Sequence, residues 1–182
     1  MAEHRRRLPH FQPDDAYLFV TWRLHGSLPA AQPDVIYATP GHAFVAQDRA
    51  LDRATGPRWL SDPRVANMVA ETIVKGPSEK AFYELVAWAI MPNHVHILLL
   101  PKVPLQQITQ WIKGRTARAA NLLLGRTGVA FWRQESYDHW ARTAGERDRI
   151  AAYIGDNPVS AGLSAKPEDW RWSSASSSRW AS

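Results

Sequence analysis

The sequence predicts an α+β domain with an antiparallel sheet, as in ferredoxin-like folds, and three observations carry that expectation. Apolar patterning along the chain changes period in the order strand, helix, strand, strand, helix, strand, helix. Two apolar runs, 85–90 and 95–100, flank the breaker Met91-Pro92-Asn93, which reads as two antiparallel strands joined by a tight turn. A chain of 182 residues with 45% hydrophobic content fits one compact domain with a real core. Residues 1–182 are therefore expected to form a single domain, with a basic arm at 1–12 and a Ser-rich tail at 173–182.

In chain order, His4-Arg5-Arg6-Arg7-Leu8-Pro9-His10 is too polar to pack and reads as an arm, either lying along phosphates or solvated as a terminus. Residues 17–24 (Y-L-F-V-T-W-R-L) are aromatic and β-branched and read as the first strand. Residues 25–60 carry four prolines and three glycines with little periodicity, a long connection with room for a short helix at 44–51. Asp62-Pro63 opens a helix as N-cap and first helical residue, and Gly76-Pro77 is expected to end it. Pro104 starts the next helix, whose apolar stripe is read as Ile108, Trp111, Ile112, Ala119, Leu122 and Leu123, with Asn121 on the opposite face. Arg115 falls within that stripe by angle, so it must meet a phosphate or a carboxylate. Residues 131–140 alternate aromatics and suit a strand or an ordered loop. Thr143 and Glu146 have capping-box spacing and open a last helix, which Asn157-Pro158 is expected to stop near residue 156.

Composition narrows the function classes. The absence of cysteine excludes disulfides, iron–sulfur clusters and Cys-based zinc sites. No run approaches the ~20 apolar residues of a membrane span, and M-A-E-H-R-R-R lacks the apolar segment of a signal peptide, so a cytoplasmic, nucleoid-associated protein with no membrane partner is expected. A formal net charge of +5 favours a polyanionic partner, most often nucleic acid. Any exposed members of the nine tryptophans beside arginines would offer stacking platforms to unpaired bases.

The chemistry centres on His94 and His96. Side chains alternate along a strand, so both share one face with Leu98 and Leu100 while Val95, Ile97 and Leu99 take the other. Imidazoles two residues apart on a rigid buried strand can converge on one metal ion, or can be core histidines bonded to neighbours. Tyr153 and Asn157 lie four apart on one helix face, with Arg149 one turn earlier. A phenol there can attack phosphorus or simply pack on the sheet; an amide oxygen can ligate or merely precede the proline.

These residues sit in a wider pattern. M-P-N-H-V-H-I-L-L, I-K-G-R-T-A-R, F-W-R-Q-E-S-Y-D-H-W-A-R, Y-I-G-D-N-P-V-S-A-G-L and P-E-D-W-R-W-S-S, with the earlier R-R-R-L-P-H-F and T-W-R-L-H-G-S-L-P, occur in this order. The combination resembles the REP-associated tyrosine transposases, single-tyrosine members of the HUH endonuclease superfamily, over nearly the whole chain. The resemblance implies the IS200-like fold, His94, His96 and Asn157 as metal ligands and Tyr153 as nucleophile. It also implies a divalent ion, Mg²⁺ or Mn²⁺, and single-stranded or hairpin DNA of the REP type as partner, bound by a monomer or homodimer. Contacts to that DNA are expected from Arg5, Arg6, Arg7, Lys113, Arg115, Arg118 and Arg149. Asp138, His139 and Arg142 match a D-H-x-x-R pattern and are expected either to support the site or to touch DNA. The implied activity is nicking and rejoining of single-stranded DNA through a 5′-phosphotyrosine link. Two rivals share the residues: a catalytically silent, domesticated hairpin-binding regulator of the same fold, and a zinc hydrolase, for which His139 is the nearest further ligand by sequence order.

Overall fold

A computed structural model describes residues 16–28, 40–176 and 180. The arm with Arg5, Arg6 and Arg7, part of the 25–60 connection, and five of the tail residues lie outside them. Four strands, β1 (Tyr17–Arg23), β2 (Tyr83–Ile90), β3 (His94–Pro101) and β4 (Tyr137–Ala141), form one antiparallel sheet in the order β2-β3-β1-β4. Four helices accompany it: α1 (Pro40–Asp52), α2 (Pro63–Lys80), α3 (Leu105–Leu123) and α4 (Ala144–Ser160). Strand order and element sequence are those expected of a ferredoxin-like α+β fold.

The hairpin turns where the sequence expects, with Met91 N–H donating to the His94 carbonyl at 2.9 Å. Because β3 is central, both of its faces are covered. Val95, Ile97 and Leu99 pack with Val20 and Trp22 under α2 and α3. On the opposite face, Leu98, Phe19 and Ala89 pack with Phe44 of α1 and Ile154 of α4. His94 and His96 fall on this second face, inaccessible to solvent and between two helices.

Three helix expectations change. α2 runs through Gly76-Pro77 to Lys80 and stops where Ala81 takes the left-handed conformation (φ 54°). Gly76 is there for clearance: a Cβ at that position would lie 2.0 Å from the Tyr83 hydroxyl, which donates to the Ile73 carbonyl at 2.7 Å. α4 likewise continues through Pro158 to Ser160, giving up the one bond that an N–H at 158 would make to the Ile154 carbonyl. In α3 the buried residues are Ile108, Ile112, Thr116, Ala120 and Asn121, whereas Leu122 is 65% exposed.

Polar bonds explain that rotation of α3. Thr116 Oγ1 accepts from Trp132 Nε1 at 2.8 Å, and Asn121 Nδ2 donates to the Val129 carbonyl at 2.7 Å. The helix thereby holds the 129–136 segment that leads into β4. At the other sheet edge, residues 170–176 shield β2: Ile90 N–H donates to the Trp172 carbonyl and Ser174 N–H to the Trp88 carbonyl. The start of the expected tail therefore covers an otherwise open strand edge.

Candidate active site

The site is built from the second face of the sheet. β3 presents His94 and His96 side by side, with their Nε2 atoms 3.0 Å apart. Their other ring nitrogens are tied down. Asn93 donates to the Leu51 carbonyl at 2.8 Å, which turns its amide oxygen toward His94 Nδ1 at 2.7 Å. An amide oxygen only accepts, so the His94 proton sits on Nδ1 and Nε2 carries a lone pair. Thr21 Oγ1, across the strand pair from His96, lies 2.7 Å from His96 Nδ1. Burial holds His94 at about 4, well below an ordinary imidazole, and so neutral at physiological pH.

Above the two rings sits a residue the sequence reading did not single out. Asp48 of α1 places Oδ1 3.2 Å from His94 Nε2 and 3.1 Å from His96 Nε2. Burial alone would raise this carboxyl, but the attraction of His96 and the closeness of both imidazoles outweigh it and hold it far below the carboxylate range. Its Oδ2 accepts from Asn157 Nδ2 at 2.7 Å and from the Tyr153 hydroxyl. Burial, then the charge of Asp48, raises the Tyr153 phenol above its usual range.

The donor set fits a divalent cation. Asp48, His94 and His96 are buried and close enough to share one ion. The separations of 3.0, 3.1 and 3.2 Å equal the spacing of adjacent ligands in an octahedral shell of radius ~2.1 Å, which gives about 3 Å. Asp48 Oδ1 and Asn157 Oδ1 are also buried without a hydrogen-bond partner, and two orphaned oxygens beside two imidazole nitrogens are what a bound cation would satisfy.

Of the expected residues, His94, His96, Tyr153 and Asn157 therefore meet, around Asp48. The others lie apart. His139 Nε2 bonds Glu146 Oε1 at 2.7 Å, outside the cluster. The other oxygen of Glu146 accepts the Arg142 backbone N–H at 2.8 Å, so the 139–142 pattern ties β4 to the start of α4. Asp138 is half-buried on β4. Lys113 donates to the Gln134 carbonyl at 2.9 Å and to Ser136 Oγ at 3.3 Å; burial lowers it to about 8. Arg115 is exposed and paired with Glu79 at 2.8 Å. Arg118 and Arg149 are exposed. All described tryptophans are buried or half-buried, with Arg126 stacked 4.3 Å over Trp59.

The chain shares its fold with the solved REP-associated tyrosine transposase bound to a REP hairpin, at 19% identity and a TM-score of 0.56 over 95% of this chain and 82% of that one. A candidate transposase from Deinococcus radiodurans aligns at 18% identity and a TM-score of 0.43, over 86% and 98% of the two chains. No curated protein sequence matches. The family model described as "Transposase IS200 like" matches residues 59–157, a segment that holds both histidines, Tyr153 and Asn157 but not Asp48. Because that segment covers more than half of the chain, this protein belongs to the IS200-like transposase family.

Proposed function

We propose that the chain is a metal-dependent single-strand DNA endonuclease and strand transferase acting on hairpin DNA of the REP type. The observation that carries this reading is the convergence of a phenol and an unpartnered amide oxygen from α4 on the buried Asp48, His94 and His96 group. His94, His96, Asp48 and Asn157 would hold the ion. Bound there, Mg²⁺ or Mn²⁺ would supply Lewis-acid polarisation of a phosphate oxygen and offset the charge of Asp48.

The residues of the chain do the rest. Tyr153 Oη gives up its proton to solvent and forms a bond to phosphorus, the bond from phosphorus to the 3′ oxygen breaks, and that oxygen takes a proton from solvent and leaves as a 3′-hydroxyl. The product is a 5′-phosphotyrosine ester, and one phosphoester has replaced another, so the reverse step can rejoin strands. Asp48 Oδ2 holds the phenol hydrogen before attack, which fixes the orientation of the oxygen. Asn93 and Thr21 keep the imidazoles turned toward the site. The solved relative bound to a REP hairpin supports the choice of partner.

Asp48 is also the carboxylate that a zinc hydrolase would need beside two histidines. Such an enzyme has no use for Tyr153 and Asn157 aimed at the same carboxylate. A denaturing gel separates the readings. With Mn²⁺ and a hairpin carrying single-stranded flanks, the protein is expected to yield a covalent DNA adduct, and Tyr153→Phe to remove it while hairpin binding persists. Binding without adduct from the unmutated chain supports the silent regulator; zinc-dependent ester cleavage without DNA supports the hydrolase.

A further inference from the structure

Beside Tyr153 lies a cavity of about 180 Å³ that the chemistry above does not use. Its walls are Phe19, Phe44, Val45, Tyr137, Ile150 and Tyr153, and His139 and Glu146 are the polar residues that line it. Phe44 and Tyr137 are stacked with centroids 4.6 Å apart and rings 27° from parallel. The same two rings border a second cavity of about 240 Å³, which Asp48, Arg23, Arg133 and Ser136 line. One aromatic wall thus divides a polar chamber containing a metal-site carboxylate from an apolar chamber containing the nucleophile.

We propose that the apolar chamber receives the unpaired nucleobase next to the scissile phosphate, while its phosphate occupies the polar side. This rests on the function proposed above. Tyr153 lines the apolar chamber and its hydroxyl meets Asp48, which lines the polar one, so a phosphate brought to Tyr153 Oη leaves the attached nucleoside within reach of the apolar chamber. The volume lies below the ~300–1,000 Å³ of pockets that take drug-sized ligands, so it suits one flat ring rather than a folded strand. Aromatic lining stacks any base, which gives affinity without choosing a sequence. Choice comes from the polar residues. Glu146 spends both oxygens on His139 and the Arg142 backbone, and His139 Nε2 is thereby engaged. His139 Nδ1 has no partner among the described residues and is the ring nitrogen left to meet a base edge. The D-H-x-x-R pattern thereby gains a role through His139: placing one selective group beside the nucleophile.

The test walks a single abasic site through both single-stranded flanks of a hairpin oligonucleotide. Equilibrium binding and adduct formation are read with Mn²⁺. One position is expected at which the abasic site weakens binding by the stacking of a single base, roughly 5- to 150-fold. In Ile150→Trp, which fills the chamber from α4, and in Val45→Trp, which fills it from α1, that position becomes insensitive. Circular dichroism melts show which of these variants is folded and so which is read. In His139→Ala, differences among the four natural bases at that position shrink. A flank with no sensitive position, or sensitivity that survives in a folded filled variant, overturns the pocket. Sensitive binding without adduct preserves the pocket and defeats the nuclease reading; failure to bind any strand defeats both.

Discussion

At Asp48 one carboxylate serves two directions: Oδ1 faces the imidazoles and Oδ2 faces Tyr153 and Asn157. Removing its charge while keeping its shape should therefore separate metal affinity from folding. Asp48→Asn is expected to lower Mn²⁺ affinity at least tenfold, read by titration of the free-ion paramagnetic signal, with an unchanged far-ultraviolet spectrum. A second prediction concerns protons. His94 titrates near 4 in the folded chain and near ~6.5 unfolded, so the unfolded chain binds more protons between those values. Stability of the metal-free protein is then full above pH 6.5 and falls as pH drops toward 4, with a loss of about 2 kcal/mol at pH 5. Urea midpoints at pH 7 and pH 5 measure it, and His94→Gln should flatten the difference. His94, His96, Tyr153 and Asn157 were legible as pairs on one face from strand and helix periodicity, and as ligands and nucleophile only from the resemblance carried by the motifs around them. Asp48 was not, since no local spacing links α1 to β3, and its neighbours have an irregular, Pro- and Gly-containing sequence.

The elements position the site by passing through residues that usually interrupt helices. Had α4 ended at residue 156, Asn157 would have left the face it shares with Tyr153; because Pro158 sits inside the last turn, the two remain one turn apart. α2 similarly crosses Gly76-Pro77. Gly76→Ala should force its methyl group into Tyr83 and cost about 3 kcal/mol, the upper end of ordinary overpacking, with partial recovery in a Tyr83→Phe background. Urea denaturation of the two variants checks this. Proline and glycine were read as stops because their local preference is all that sequence displays, whereas packing against β2 decides whether the helix goes on. Thr143 shows the reverse case. It caps α4 by accepting the Glu146 N–H at 3.1 Å, as the spacing foretold, but the Glu146 side chain serves His139 and Arg142 instead of closing the capping box.

Across the whole molecule, the sheet works as a partition. α2 and α3 seal one side with a large apolar core, so the other side can spend its central strand on two histidines and still remain covered by α1 and α4. This architecture was legible from the order of elements and from an apolar β3, because a strand apolar on both faces must be central. The path of the DNA over the surface was not, since a basic side chain can serve a carboxylate or a carbonyl as readily as a phosphate; Arg115 and Lys113 do so here. The central claim is that Tyr153 itself becomes joined to the 5′ end of a cut strand. The most direct measurement is mass spectrometry of the tryptic peptide beginning at Ile150, after incubation with hairpin DNA and Mn²⁺ and nuclease trimming. A nucleotide on Tyr153 is the predicted result; a nucleotide on Tyr137, or bound hairpin without any covalent product, would contradict it.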